Sequence, residues 1–219
     1  MSDIVILIAM ILGIPLLYFI ILQWYKDDFD QEKNKTRKLL RSWQEIVVML
    51  LGEIALVKTW FDYIHGKETT LMFALLYTVL VIMTILCMAD YWERIVPNKI
   101  LLILILVGLI EFAIQGIKDI QGLFSMVPAV ILGFLFSAIT FGVAYIVSKG
   151  SLGAGDVKLA ILLGIFLTGE YVVGTVFYGS LLSAGFSIVQ MLRKKLKRKD
   201  EIPFVPFLYM GLIIIYLVG

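Results

Sequence analysis

One stretch decides how this chain is interpreted, and it reads Ser151-Leu152-Gly153-Ala154-Gly155-Asp156-Val157-Lys158. It places two glycines and an aspartate directly before a short apolar run, 159–169. A carboxylate at the edge of a bilayer is costly and usually has a function. Glycines allow a sharp backbone turn or the close approach of another segment, and an aspartate before a helix is also a common N-cap. The stretch therefore predicts either a functional carboxylate or an ordinary capped helix.

The composition is that of a membrane protein. Of 219 residues, 61% are hydrophobic and 16% are charged, and the mean hydropathy is +0.97. Soluble domains average about 45–50% apolar and about 25% charged residues. The net charge of +2 gives no support for a nucleic-acid partner.

The apolar residues form long runs that predict membrane-spanning helices. A helix needs about 20 apolar residues to cross the hydrocarbon. Five runs fit well (4–22, 71–89, 100–117, 127–147 and 171–192), and three are weaker (46–63, 159–169 and 203–218). The run 4–22 is too long for a signal peptide and has Asp3 where a basic residue is usual, so we interpret it as a retained helix. Together these runs predict an all-α polytopic membrane protein with about eight transmembrane helices.

The basic residues predict the orientation. With eight spans, 16 of the 19 lysines and arginines fall on one side and only Lys58, Lys67 and Lys118 on the other. If 46–63 does not cross, the split becomes 10 against 9. Positive residues gather in cytoplasmic loops, so the eight-span arrangement is favoured. It places both termini outside the cytoplasm, and it places Asp90 and Asp156 on the same, cytoplasmic, edge of the membrane.

Asp90 is the second acid at a membrane edge. It ends the apolar run 71–89 and opens a connector that finishes in Pro97-Asn98. Proline and asparagine favour the end of a connector and the start of the next helix. A plain polar loop is the alternative interpretation. Two aspartates on one membrane edge predict an aspartyl dyad.

Three sequence elements together resemble those of the type IV prepilin peptidases, a family of GxGD membrane aspartyl proteases. The elements are Asp-x6-Pro-Asn from Asp90, Gly-x-Gly-Asp-x-Lys from Gly153, and Ile202-Pro203-Phe204-Val205-Pro206-Phe207 at the start of the last span. The resemblance covers about residue 71 to the end of the chain by motif, and the two earlier spans by topology. Presenilin-like proteases share GxGD but pair it with Tyr-Asp and Pro-Ala-Leu, which this sequence lacks.

The resemblance implies roles for particular residues. Asp90 and Asp156 would be the catalytic pair, and Gly153 and Gly155 would shape the loop that carries Asp156. Three further residues match motif positions with less specific roles: Lys158, Pro97 and Asn98.

The implied activity is an endopeptidase that removes the basic leader from prepilin-like precursors. It would act at the cytoplasmic face of the inner (cytoplasmic) membrane, with a prepilin or pseudopilin precursor and membrane lipid as partners and no nucleic acid. Proteolysis by this family needs no cofactor or metal. Many bifunctional members also carry two CxxC pairs that bind a metal in the first cytoplasmic loop, and these members methylate the new N-terminus. Here 24–44 contains no cysteine, so we expect no zinc in this loop. Methylation from S-adenosylmethionine stays open as a second activity.

The same resemblance divides the chain in two. Residues 1–64 would form two transmembrane helices joined by a charged, cysteine-free cytoplasmic loop (24–44), and residues 65–219 a six-helix peptidase core. The alternatives are an ion-coupled transporter that uses the two aspartates and a non-enzymatic factor in pilus or secretion assembly.

Cys87 lies in an apolar run and is expected in the core. For Glu53 and Lys58, in the second span, a mutual contact is the one explanation that the sequence offers.

Overall fold

The computed structural model describes residues 12–13, 15–16, 43–66, 69–147, 152–167, 169–194 and 202–218. Seven helices are complete in this part: α1 (Trp43–Ile64), α2 (Thr70–Glu93), α3 (Asn98–Lys118), α4 (Ile120–Val147), α5 (Ala154–Leu167), α6 (Gly169–Leu192) and α7 (Val205–Val218). The described part contains no strand, so the predicted all-α class is confirmed. The predicted first span, 4–22, and the charged loop up to residue 42 lie outside the described residues, except that 12–13 and 15–16 are helical.

Four of these helices are long and apolar enough to cross a membrane. They are α2, α3, α4 and α6, with spans of 21–28 residues. Helix α7 is apolar but has only 14 residues, which is about 21 Å of helix. The chain is therefore a membrane protein, while the number of eight spans stays a prediction.

Helix α2 lies at the centre of the bundle. It contacts α1, α3, α5 and α7, and 78% of its most apolar stretch is buried, against 17–22% for the other three candidate spans. Those three helices present leucines and isoleucines on the outside, for example Leu102, Leu106 and Leu109 on α3. Since lipid is as apolar as these side chains, such a surface suits the bilayer. Cys87 of α2 is a buried free thiol, as expected of a core residue.

Helix α4 begins several residues before the apolar run 127–147 that predicted it. Asp119 precedes the helix, and its Oδ1 accepts a 2.9 Å hydrogen bond from the Gly122 N–H. An aspartate in this position satisfies one of the free N–H groups of a first helical turn. The helix then continues through Pro128. Capping by a side chain, rather than hydropathy, decides where this helix starts.

The acid and the base of α1 do not contact each other. Lys58 instead pairs with Asp62, with 2.7 Å between Nζ and Oδ2, so the expected contact with Glu53 is wrong. The reason is helical geometry, because residues four apart are neighbours on a helix surface and residues five apart are not. Both carboxyl oxygens of Glu53 are shielded from solvent and have no hydrogen-bond partner among the described residues.

Helix α7 is held by close contacts on two sides. The Tyr209 hydroxyl donates to the Val48 carbonyl over 2.9 Å and lies 3.1 Å from Thr84 Oγ1, which ties α7 to α1 and α2. On the other side, a Cβ at Gly211 would overlap the Thr175 carbonyl oxygen and lie 2.6 Å from the Gly179 nitrogen of α6. The missing side chain lets the two backbones touch, so the start of α7 has a defined position.

Candidate active site

Asp90 lies in the last turn of α2 and is 4% exposed. The helix ends at Glu93 because Arg94 adopts the left-handed conformation, with φ 55° and ψ 40°, and donates its N–H to the Asp90 carbonyl over 2.9 Å. This arrangement is a common way to end a helix. The chain then leaves the bundle axis, and the Asp90 side chain stays inside.

The carboxylate of Asp90 is held by the backbone of another helix. Its Oδ2 accepts a 2.9 Å hydrogen bond from the N–H of Val205, the first residue of α7, and the Phe204 N–H also donates to this carboxylate. The first N–H groups of a helix have no partner within it and carry partial positive charge. The start of α7 is therefore a suitable site for a buried carboxylate.

Asp156 is the third residue of α5, so the alternative interpretation, in which it is the N-cap, is wrong. Gly153 stands at the N-cap position, where its carbonyl accepts from the N–H groups of Asp156 and Val157 over 3.1 and 3.3 Å. The Asp156 carboxylate turns back to accept from the Gly153 N–H, as acidic side chains at this helix position often do. Its other oxygen, Oδ1, is shielded from solvent and has no hydrogen-bond partner among the described residues.

Asp156 feels the negative charge of Asp90. Asp156 precedes the apolar part of α5 and lies outside the four candidate spans. Burial, and second to it the negative charge of Asp90, raise the pKa of Asp156 to about 7, against the opposing effect of the Gly153 N–H. Like charges close together cannot both ionise easily. The structure thus brings together the two acids that the sequence places far apart.

The remaining motif residues surround this pair at the same end of the bundle. Pro97 precedes α3, and its carbonyl accepts from the N–H groups of Ile100 and Leu101 over 3.1 and 3.3 Å. Asn98 is the first residue of α3, and its Oδ1 accepts a 3.0 Å hydrogen bond from Lys158 Nζ. This bond joins the connector after Asp90 to the first turns of α5.

The two motif glycines serve close packing. A Cβ at Gly155 would lie 2.9 Å from Val96 Cβ, and one at Gly153 would lie 3.0 Å from Asp156 Oδ2. Neither glycine has a positive φ, so neither needs the left-handed conformation that a sharp turn would require. The absence of side chains lets α5 approach the connector after Asp90 and lets the Asp156 carboxylate fold back.

Sequence reasoning did not assign the groups that hold Asp90. The resemblance includes the segment 202–207 but implies no role for the Phe204 and Val205 backbones or for Val96. A signal was present, because prolines around a helix start indicate N–H groups that are free for another partner. The sequence could not indicate that this partner lies 115 residues away.

The described part of the chain contains no candidate metal site. No three histidine, cysteine, aspartate or glutamate side chains gather there as metal ligands would. His65, the single histidine, lies at the end of α1 with Nδ1 2.8 Å from the Phe61 carbonyl oxygen. Most of the loop 24–44 is outside the described residues, so the absence of zinc stays a prediction from the missing cysteines.

Comparison with known proteins agrees with this geometry. A family model described as the type IV leader peptidase family matches residues 74–188, just over half of the chain. The prepilin leader peptidase/N-methyltransferase of Bacillus subtilis (strain 168) is 25% identical over 140 residues, which are 63% of this chain and 53% of that protein. The chain therefore spans about half the length of this curated relative. No solved structure matches the chain. The matched segment contains both aspartates and the connectors that position them, and by this match the chain belongs to the type IV leader peptidase family.

Proposed function

We propose that this protein is a membrane-embedded aspartyl endopeptidase that removes the leader from type IV prepilin-like precursors, with Asp90 and Asp156 as the catalytic pair. The observation that supports this most directly is the pair itself, in which Asp90 is buried, Asp156 is partly buried, and the charge of Asp90 opposes ionisation of Asp156. Family membership supplies the substrate class. The name of the Bacillus subtilis relative names the same reaction for that protein.

The chemistry follows from two carboxyl groups that hold one proton. The ionised group takes a proton from water while the water oxygen bonds to the scissile carbonyl carbon. The protonated group donates to the carbonyl oxygen and stabilises the charge that develops there. As the C–N bond breaks, the first group passes its proton to the leaving amine nitrogen, and the second recovers its proton as the carbonyl re-forms.

The other motif residues support the pair. Gly155 allows α5 to reach Val96, and Gly153 supplies an N–H to the Asp156 carboxylate. Pro97 and Asn98 start α3, and Lys158 bonds to Asn98. We assign them to the positioning of the two acids and not to the reaction itself.

We further propose that the reaction takes place at the cytoplasmic face of the cell membrane. The distribution of basic residues supports this, because the eight-span arrangement places 16 of 19 on the side of both aspartates. A precursor with a basic leader and an apolar helix would keep its helix in the bilayer and present the junction to the pair. Residues 65–219 would form the peptidase core, and residues 1–64 an additional N-terminal pair of helices.

Methylation of the new N-terminus is a separate question. S-adenosylmethionine would be the methyl donor for that second activity, and no step of the peptidase reaction goes through it. The transporter alternative has less support, because both aspartates lie at one end of the bundle and not along a path across it.

One experiment tests the proposal. The purified protein is incubated with a prepilin, with and without S-adenosylmethionine, and the products are weighed by mass spectrometry. We expect loss of the leader mass under both conditions and no cleavage by Asp90→Ala or Asp156→Ala, each of which should still insert and fold. Leader cleavage by either variant would refute the assignment of that residue. A further mass increase of one methyl group only with the donor would show the second activity.

A further inference from the structure

We propose that the start of α7 sets the asymmetry of the pair, so that Asp90 is the ionised base and Asp156 carries the shared proton. This rests on the proposed function, and it assigns to each acid a role that neither the sequence nor the family membership distinguishes. It also makes the backbone of Val205 a positioning group for the reaction.

The contacts of Asp90 suit the ionised form. An ionised carboxylate only accepts hydrogen bonds, whereas a protonated one must also place a donor. Asp90 accepts from the N–H groups of Val205 and Phe204, where the first turn of α7 adds partial positive charge. Arg94, directly after the end of α2, adds a positive charge that favours the same form. Burial disfavours the ionised form and is the largest effect on Asp90, and these three groups oppose it.

The contacts of Asp156 suit the protonated form. Only one of its oxygens accepts a hydrogen bond, from the Gly153 N–H, and the other is shielded from solvent with no donor near it in the described structure. An anion there would leave a buried charge poorly compensated. A proton on Oδ1 removes that cost and supplies the donor that a carbonyl oxygen of the substrate needs.

The groups near the two acids do not reverse this assignment of an ionised Asp90 and a protonated Asp156. Lys158 could have stabilised an ionised Asp156, but its ammonium group bonds to Asn98 instead. The Cys87 thiol, which feels the charge of Asp90, is buried and neutral. Helix α7 brings no charged side chain to Asp90, since its residues are all apolar apart from its tyrosines. The charge that opposes ionisation of Asp156 is therefore that of Asp90.

The roles then follow step by step. Asp90 takes the proton of the attacking water, and Asp156 gives its proton to the carbonyl oxygen as the C–O bond forms. When the C–N bond breaks, Asp90 returns its proton to the amine nitrogen, and Asp156 regains one from the hydroxyl group that becomes the new carbonyl. Val205 acts by keeping Asp90 ionised and correctly placed before each turnover.

Infrared difference spectroscopy tests the assignment without any substrate. Spectra of wild-type protein, Asp90→Asn and Asp156→Asn are compared at about pH 5 and about pH 6, both above the ordinary aspartate pKa and below that of Asp156. The lower pH allows for the fall in the Asp156 pKa when Asp90→Asn removes the charge that helps to raise it. Bands of other partly buried acids, such as Glu53 and Glu111, cancel in the differences. We expect the carboxylic-acid C=O band of the wild type to disappear in Asp156→Asn and to persist in Asp90→Asn. Loss of that band in Asp90→Asn instead, or equal loss in both variants, would overturn the proposal whether or not the protein cleaves prepilin.

A backbone substitution tests the role of α7. Val205→Pro removes the N–H that bonds to Asp90, and proline is tolerated at the first position of a helix. Because a hydrogen bond to a charged group is lost, we expect kcat to fall about 10- to 100-fold with KM changed by less than about threefold. Val205→Ala is the matched control, since it shortens the same side chain but keeps the N–H, and it should lose much less of kcat. Thermal unfolding transitions would first establish that both variants are folded. Equal kcat values for the two would then show that the Val205 N–H of α7 has no role in the reaction.

Discussion

Lys158 of α5 donates a 3.0 Å hydrogen bond to Asn98 of α3, and it joins two sequence motifs that lie 60 residues apart. Both side chains are exposed. A contact in this position can align the two segments that carry Asp90 and Asp156, but solvent competes for both partners. Exposed interactions of this kind contribute about 0–1 kcal/mol.

We therefore expect Lys158→Ala and Asn98→Ala each to lower prepilin cleavage by less than about tenfold. The double variant should be no worse than the more impaired single variant, because the two residues act through one bond. Initial cleavage rates of the wild type, the two single variants and the double variant form a double-mutant cycle that measures this coupling. Complete loss of cleavage in Lys158→Ala alone would mean that this lysine contacts the reacting groups.

The activity should depend on the proton that Asp156 carries. Its pKa is raised to about 7, first by burial and then by the charge of Asp90, so the proton is retained well above the ordinary aspartate range. Cleavage should fall as the pH rises through about 7, and a pH profile of kcat/KM measures this. A profile that stays flat well into the alkaline range would contradict the role of this proton.

The same pKa predicts a trend in stability. A folded-state pKa above the unfolded value of 3.8 means that the folded protein binds more protons between those two values. The contribution of Asp156 to the free energy of unfolding is therefore largest at low pH and is lost as the pH rises toward about 7. Asp156→Asn, which cannot ionise, should show a weaker decline of Tm over this range than the wild type. Parallel Tm curves for the two proteins would show that Asp156 is not responsible.

Gly155 should be intolerant of a side chain. A Cβ there would lie 2.9 Å from Val96 Cβ and 3.4 Å from the Val96 carbonyl oxygen, and a branched carbon next to backbone cannot move aside cheaply. Gly155→Ala should shift α5, and Asp156 with it, and so reduce cleavage by about 100-fold, as misplacement of a catalytic group by about 1 Å can do.

Two comparisons isolate this effect. Gly142→Ala in α4 adds a methyl group where nothing lies within 4 Å, so it should retain wild-type cleavage. Val96→Gly removes the side-chain carbon that the methyl group added by Gly155→Ala would meet, and the combination of the two substitutions should restore part of the activity. A fully active Gly155→Ala protein would show that the close approach to Val96 has no role in catalysis.

The contact between α6 and α7 should be equally sensitive. Gly211→Ala would press a methyl group into the Thr175 carbonyl and the Gly179 backbone, and such overpacking costs about 1–3 kcal/mol. Because α7 holds Asp90 through Val205, cleavage should fall together with Tm. Gly185→Ala in α6, with open space around it, is the control and should match the wild type in both measurements. If Gly211→Ala lowered neither, the position of α7 would not depend on this contact.

Glu53 should be dispensable for cleavage and unfavourable for stability. Its two carboxyl oxygens are shielded and have no partner among the described residues, and burial of such a group costs free energy. Glu53→Leu should raise Tm and leave leader cleavage unchanged, and Glu53→Gln, which keeps the shape, should cleave equally well. Loss of cleavage in Glu53→Gln would instead indicate that this carboxyl group has a function.

Much of the architecture could be predicted from hydropathy, because burial of apolar residues dominates where membrane helices form. All seven helices fully described correspond to predicted apolar runs, α1 to 46–63 and α7 to 203–218 among them. The errors occur at helix ends and between polar groups. Asp119 starts α4 early, Asp156 lies inside α5 and not before it, and Lys58 pairs with Asp62 and not with Glu53. These outcomes depend on hydrogen bonds and helical register that hydropathy does not contain.

The sequence by itself determined that the chain is an all-helical membrane protein and that Asp90 and Asp156 are the acids to examine. It could do so because long apolar runs and acids at their edges are local features. Only the tertiary structure decided what surrounds each acid: the Val205 and Phe204 N–H groups at Asp90, and one Gly153 N–H with an unpartnered oxygen at Asp156. Those environments arise from the packing of α7 and α5 against α2. The relative position of helices distant in sequence depends on backbone contacts, such as that of Gly211 with α6, and no single segment encodes it.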